Sequence, residues 1–67
     1  MNKHKRNDEL LFTCFQIEAY VRLMLLRGIN DPQEIVDTIN LLFTPQNEFE
    51  MEMYSESIIY AKQGVLN

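Results

Sequence analysis

The sequence predicts an all-α fold, a small domain of three helices in the order long, short, long, and three observations carry that prediction. Apolar residues recur at three- and four-residue intervals over most of the chain, the period of a helix rather than a strand. Only two glycines and two prolines interrupt 67 residues. Each proline directly follows a residue that caps helices well, Asp31 before Pro32 and Thr44 before Pro45, so both read as helix starts.

The first helix runs from Asn7 to Arg27. Asn7 is placed to cap it, and Asp8 and Glu9 put negative charge at its positive end. This helix is apolar on two sides. At ~100° per residue, Leu10, Cys14, Ile17, Val21, Met24 and Leu25 gather on one side, and Phe12, Phe15, Ala19, Leu23 and Leu26 on the other. Polar residues occupy two narrow strips between, with Glu9, Thr13, Gln16 and Arg27 on one edge and Glu18 and Arg22 on the other. A helix apolar nearly all round must be covered nearly all round. A chain of ~60 residues buries only ~60% of the surface its unfolded form exposes, so it has little material for that cover. The expectation is therefore a homodimeric helical bundle in which a second copy supplies the missing surface. Periodicity alone leaves open which of the two sides turns inward.

Gly28 is a natural stop for the first helix. Asp31 then caps a second, Pro32 opens it, and Glu34 completes an Asp-x-x-Glu box. This short helix, Pro32 to Phe43, has one apolar stripe: Ile35, Val36, Ile39, Leu42 and Phe43. Thr44-Pro45 starts the third helix, which ends near Gln63, before Gly64. Its main stripe is Met51, Tyr54, Ile58 and Ala61, with Phe49, Met53 and Tyr60 almost opposite. Strict alternation over residues 48–53 makes a strand the competing reading there, but Glu and Met favour a helix. The links are too short to separate domains, so residues 7–67 form a single domain behind a six-residue basic tail.

Charge is unevenly placed. The formal net is −4, yet three of the six basic residues, Lys3, Lys5 and Arg6, lie in the tail. From Asn7 onward only Arg22, Arg27 and Lys62 oppose ten acids. Lys3, Lys5 and Arg6 are candidates for charge contact with a partner. So is the strip Glu48, Glu52 and Glu56, whose spacing places these acids on one side of a helix; the plainer reading of that strip is a solvated face.

The residues that usually carry chemistry are sparse. His4, the single histidine, lies in the tail, away from any rigid element that would fix a general base. The lone Cys14 sits among apolar residues and reads as a small core side chain in a reducing compartment. One Cys and one distant His fall short of a zinc site. Ser55 and Ser57 have no histidine partner in an ordered segment, and no glycine-rich phosphate loop is present. The expectation is a protein with no enzymatic activity and no metal or cofactor. The apolar run after the tail is broken by Thr13, Gln16 and Glu18, which argues against both a signal peptide and a membrane span and for a cytoplasmic protein. A helix-turn-helix reader of DNA needs basic residues on its reading helix. The third helix instead carries Glu48, Glu50, Glu52 and Glu56 against Lys62.

Protein contact is the remaining mode of action. Its candidate residues are Phe12, Phe15, Ala19, Leu23 and Leu26 on the second side of the first helix, with Phe49, Met53 and Tyr60 on the third. Tyr20 joins them because, like Tyr60, it lies off the main stripes and combines apolar bulk with a polar tip. Leu25-Leu26-Arg27-Gly28, the Asn30-Asp31 restart, Ile35 and Ile39, then Tyr54 and Ile58 form an arrangement spanning Phe15 to Ala61. It resembles the small connector proteins of bacterial two-component signalling, the acid-resistance and biofilm-development regulators. The resemblance implies a helical homodimer that modulates a sensor kinase or transcriptional regulator and catalyses nothing. DNA association has been proposed in that family, and the acidic helices here speak against it. An alternative is a phage-type inhibitor that covers a site on a host enzyme. A third reading is a DNA-binding dimer using the basic arm.

Overall fold

The computed structural model describes residues 7–66, and the basic tail with Lys3, Lys5 and Arg6 lies outside the described residues. Three helices follow in order: α1 (Asn7–Leu26), α2 (Pro32–Leu42) and α3 (Glu48–Leu66). The long–short–long order is the one the periodicity predicts, and residues 48–53 are helical rather than extended.

α1 ends as its glycine requires. Gly28 adopts φ +88°, the left-handed region that side chains with a Cβ avoid. That turn brings the Ile29 amide to the Met24 carbonyl at 2.9 Å and the Gly28 amide to the Leu25 carbonyl at 3.0 Å. Two carbonyls left over at the helix end are thereby satisfied, in the pattern of a Schellman cap. Ile29 folds back with Met24 onto the core, the apolar contact that accompanies such caps. The chain then reverses into α2, where Asp31 is the N-cap and accepts from the Gln33 amide at 3.1 Å, with Pro32 in the first turn. Glu34 adds negative charge to that turn.

The start of α3 differs from expectation. Thr44-Pro45 does not open it: the Thr44 hydroxyl donates 3.1 Å back to the Asn40 carbonyl, finishing α2 instead. The cap is Asn47, two residues beyond the end of that pair. Its Oδ1 accepts from the Glu50 amide at 2.8 Å, and the Glu50 carboxylate in turn accepts from the Gln46 amide at 3.0 Å. This is a capping box shifted by one residue on its return bond. Replacing Asn47 with Ala is expected to cost about 1 kcal/mol, read as a fall in thermal midpoint. Thr44→Ala, which leaves every α3 amide as it was, is expected to cost less than half as much; equal losses would restore Thr44 as the cap. At the other end α3 does not stop before Gly64 but runs through it to Leu66.

Leu10, Cys14, Ile17 and Val21 of α1, Ile35 and Ile39 of α2, and Tyr54, Ile58 and Ala61 of α3 form the buried core. Met24, Leu25, Ile29, Phe43 and Met53 pack against it part-buried. α3 lies along much of α1, and α2 meets α1 over a shorter stretch. Two apolar assignments are corrected. In α3 Met51 is exposed and Glu50 is buried. The stripe through Tyr54, Ser57, Ile58 and Ala61 is centred so that residue 50 falls within about 30° of its axis and residue 51 about 70° away. The cap hydrogen bond is what makes a carboxylate tolerable there, with the Tyr54 hydroxyl 3.5 Å away. Ser57, also buried, donates to the Met53 carbonyl at 3.0 Å. In α2, Val36 and Leu42 are exposed rather than part of a buried stripe, because α2 has a neighbour only along Ile35 and Ile39.

Candidate interaction surface

The core settles which side of α1 faces inward. Leu10, Cys14, Ile17 and Val21 are buried, so Phe12, Phe15, Ala19, Leu23 and Leu26 form the outer side, and all five are exposed. Phe12 is 63% exposed, Phe15 61%, Leu23 51% and Leu26 74%. The Cα atoms span 43 × 19 × 15 Å. At an interaxial spacing of ~8–10 Å, the two shorter dimensions hold about two helices each. With α2 and α3 on its inner side, α1 has no third layer outside it.

The other expected contact residues distribute around this face. Leu11 and Phe15 of α1 and Met53 and Tyr60 of α3 line an open groove of about 310 Å³ between the two helices, together with Cys14, Glu18, Glu56 and Ser57. Tyr60 is exposed, whereas Met53 is part-buried against the core. Phe49 is exposed on α3, near Tyr60 in helical phase though outside the groove lining. Tyr20 lies toward the opposite edge of α1, where its ring meets Phe43 edge-on with centroids 5.6 Å apart. It belongs partly to the α1–α2 packing and is 44% exposed. Glu48, Glu52 and Glu56 are exposed on α3, and Glu56 reaches the groove.

Leu11 belongs to neither apolar side by sequence phase, about 100° from Leu10, yet it joins the groove and is 51% exposed. Its signal was that intermediate phase: a large apolar residue between two faces makes them continuous. Leu41 is also strongly exposed, at the end of α2 away from the core stripe. Along the groove edge Glu18 pairs with Arg22 at 3.3 Å, one helical turn on. Such partly exposed pairs contribute little stability.

Ser57 commits its hydroxyl to a backbone carbonyl, and Cys14 is buried. Among the described residues no three His, Cys, Asp or Glu side chains stand close enough to hold a metal ion. No helix among them is long and apolar enough to cross a membrane. What the surface offers is apolar area. A Phe side chain carries roughly 150–250 Å², so Phe12, Phe15, Leu23 and Leu26 with the adjoining Leu11 present on the order of 600 Å². That lies at the upper limit of the largest apolar patch on an ordinary monomer, ~300–600 Å². Compared with known protein families, curated proteins and solved structures, the chain matches none. Fold and surface together define an all-α three-helix domain with one uncovered helix face.

Proposed function

We propose that this chain is a non-enzymatic regulatory protein that acts by helical contact, as a homodimer, through the outer face of α1. The observation that supports the reading is the one face: five residues at helical spacing, four of them large and apolar, more than half exposed. Leaving them in water costs roughly 25 cal/mol for each Å², on a domain too small to offset that easily. Contact with protein removes the cost. The acids that α3 turns outward, Glu48, Glu52 and Glu56, favour a protein partner over nucleic acid, whose phosphates they would repel. The arrangement of Leu25 to Gly28, Ile35, Ile39, Tyr54 and Ile58 is what favours a connector role in bacterial signalling.

Sedimentation equilibrium at micromolar concentration tests the reading. The expected mass is twice the 8.0 kDa of the chain. A folded monomer that binds no hydrophobic dye would overturn it, since its outer face would then be neither paired nor sticky.

A further inference from the structure

We infer that the two copies pair through α1 in antiparallel fashion, with the two-fold axis passing Ala19. The inference rests on the contact reading above and adds the geometry of the pairing.

The outer face of α1 is symmetric about Ala19. Phe15 and Leu23 stand four residues to either side, and Phe12 and Leu26 seven. In an antiparallel pair related by a two-fold axis, a residue a given number of positions before the axis meets one the same number after it on the other copy. Phe15 then packs on Leu23 of the second copy and Phe12 on Leu26, so every large side chain on the face meets another of comparable size. Each contact occurs twice. Ala19, the smallest side chain on the face, lies where the helices come closest, which permits the short end of the ~8–10 Å interaxial range. The charges agree. Glu9 in the first turn of α1 and Arg27 directly after the helix lie on the same edge. Antiparallel pairing brings Glu9 of one copy alongside Arg27 of the other on that edge, whereas parallel pairing places the two copies' Glu9–Arg27 edges on opposite sides of the interface and gives neither residue that partner. It also opposes the two helix dipoles. The area is adequate. Two such faces, with the adjoining Leu11 and the polar edges that flank them, reach the low end of the ~1,200–2,000 Å² buried by stable protein pairs.

Cysteine cross-linking tests the geometry. In the antiparallel pair position 19 faces itself, within the 4.4–6.8 Å Cα separation that a disulfide spans. Position 26 lies seven residues from the axis on each copy, so its two Cα atoms stand about 21 Å apart at 1.5 Å per residue. Both positions are exposed in the protomer, so Ala19→Cys and Leu26→Cys leave the core intact, and the native Cys14 is buried. After mild oxidation with diamide, Ala19→Cys is expected to run almost wholly as a covalent dimer on a non-reducing gel. Leu26→Cys and the unaltered chain are expected to remain monomeric there. Cross-linking of Leu26→Cys as efficiently as Ala19→Cys marks a parallel pair and overturns the inference. So does failure of Ala19→Cys to cross-link while sedimentation still gives the dimer mass, which places the dimer on another surface and leaves the contact reading standing. A monomeric mass removes the self-association itself and is seen in the centrifuge, independently of any cross-link.

Discussion

Replacing Phe15 and Leu23 together with Asp is expected to abolish the dimer and leave a folded monomer. Both side chains are more than half exposed in the protomer and lie across α1 from Ile17 and Val21, so the substitution leaves the core unchanged. In the dimer each Asp would be a carboxylate buried without a partner. Such a group costs about 3–5 kcal/mol, and each substitution acts twice across a two-fold interface. A single such penalty already weakens association by about two to almost four orders of magnitude. Sedimentation equilibrium at micromolar concentration should therefore move from twice the chain mass to 8.0 kDa. Circular dichroism in the cold should keep its helical signal. The thermal midpoint of the unaltered protein should rise with concentration, as for any fold stabilised by association, and that dependence should vanish in the variant. Unchanged mass and an unchanged midpoint would mean that the face stays exposed and that two apolar sides on one helix carry no requirement for cover.

Much of this arrangement was legible in the sequence because it depends on spacing, which the chain states outright. Gly28, Asp31 and Pro32 each do locally what their chemistry demands, and the helix boundaries around them fall where those residues put them. The two sides of α1 were equally plain. Choosing between them required knowing that Ile35, Ile39 and Tyr54 converge on Leu10, Cys14, Ile17 and Val21, which is a fact of tertiary packing. The failures have a common cause: local signals compete. Thr44-Pro45 and Asn47-x-x-Glu50 are both helix-start patterns three residues apart, and the second prevails because its asparagine and glutamate satisfy two amides together. Hydropathy gives the acidic Glu50 no place in the apolar stripe, yet the same cap bond lets it occupy a core position that hydropathy assigns to Met51. The contact surface was legible as a set of residues on α1 and became a surface only when α3 brought Met53 and Tyr60 beside Leu11 and Phe15.

Ile17→Ala is expected to have the largest effect on stability of any single truncation in α1. Ile17 is fully buried near the middle of the helix, in the cluster that joins α1 to both other helices. Truncating a buried Ile to Ala costs about 2–5 kcal/mol through lost transfer energy and the cavity left behind. At ~0.05–0.15 kcal/mol per residue, the whole domain is stable by roughly 3–10 kcal/mol. The loss is thus a large share of the total, and a fall in thermal midpoint of at least about 10 °C follows for a domain of this size. Leu41→Ala removes the same number of carbons from a position that is 83% exposed, and it is expected to stay within about 0.5 kcal/mol of the parent. The pair separates burial from hydrophobicity, since both substitutions delete aliphatic carbon from a helix and only one opens a cavity. The concentration series distinguishes core from interface as well. Ile17→Ala lowers the midpoint at every concentration because it weakens each protomer. A substitution on the outer face of α1 acts only through the association term and leaves the dilute protomer as stable as before. Equal losses for Ile17→Ala and Leu41→Ala would show that α2 covers its C-terminal end in solution and that the inner side of α1 is not where the stability of the fold resides.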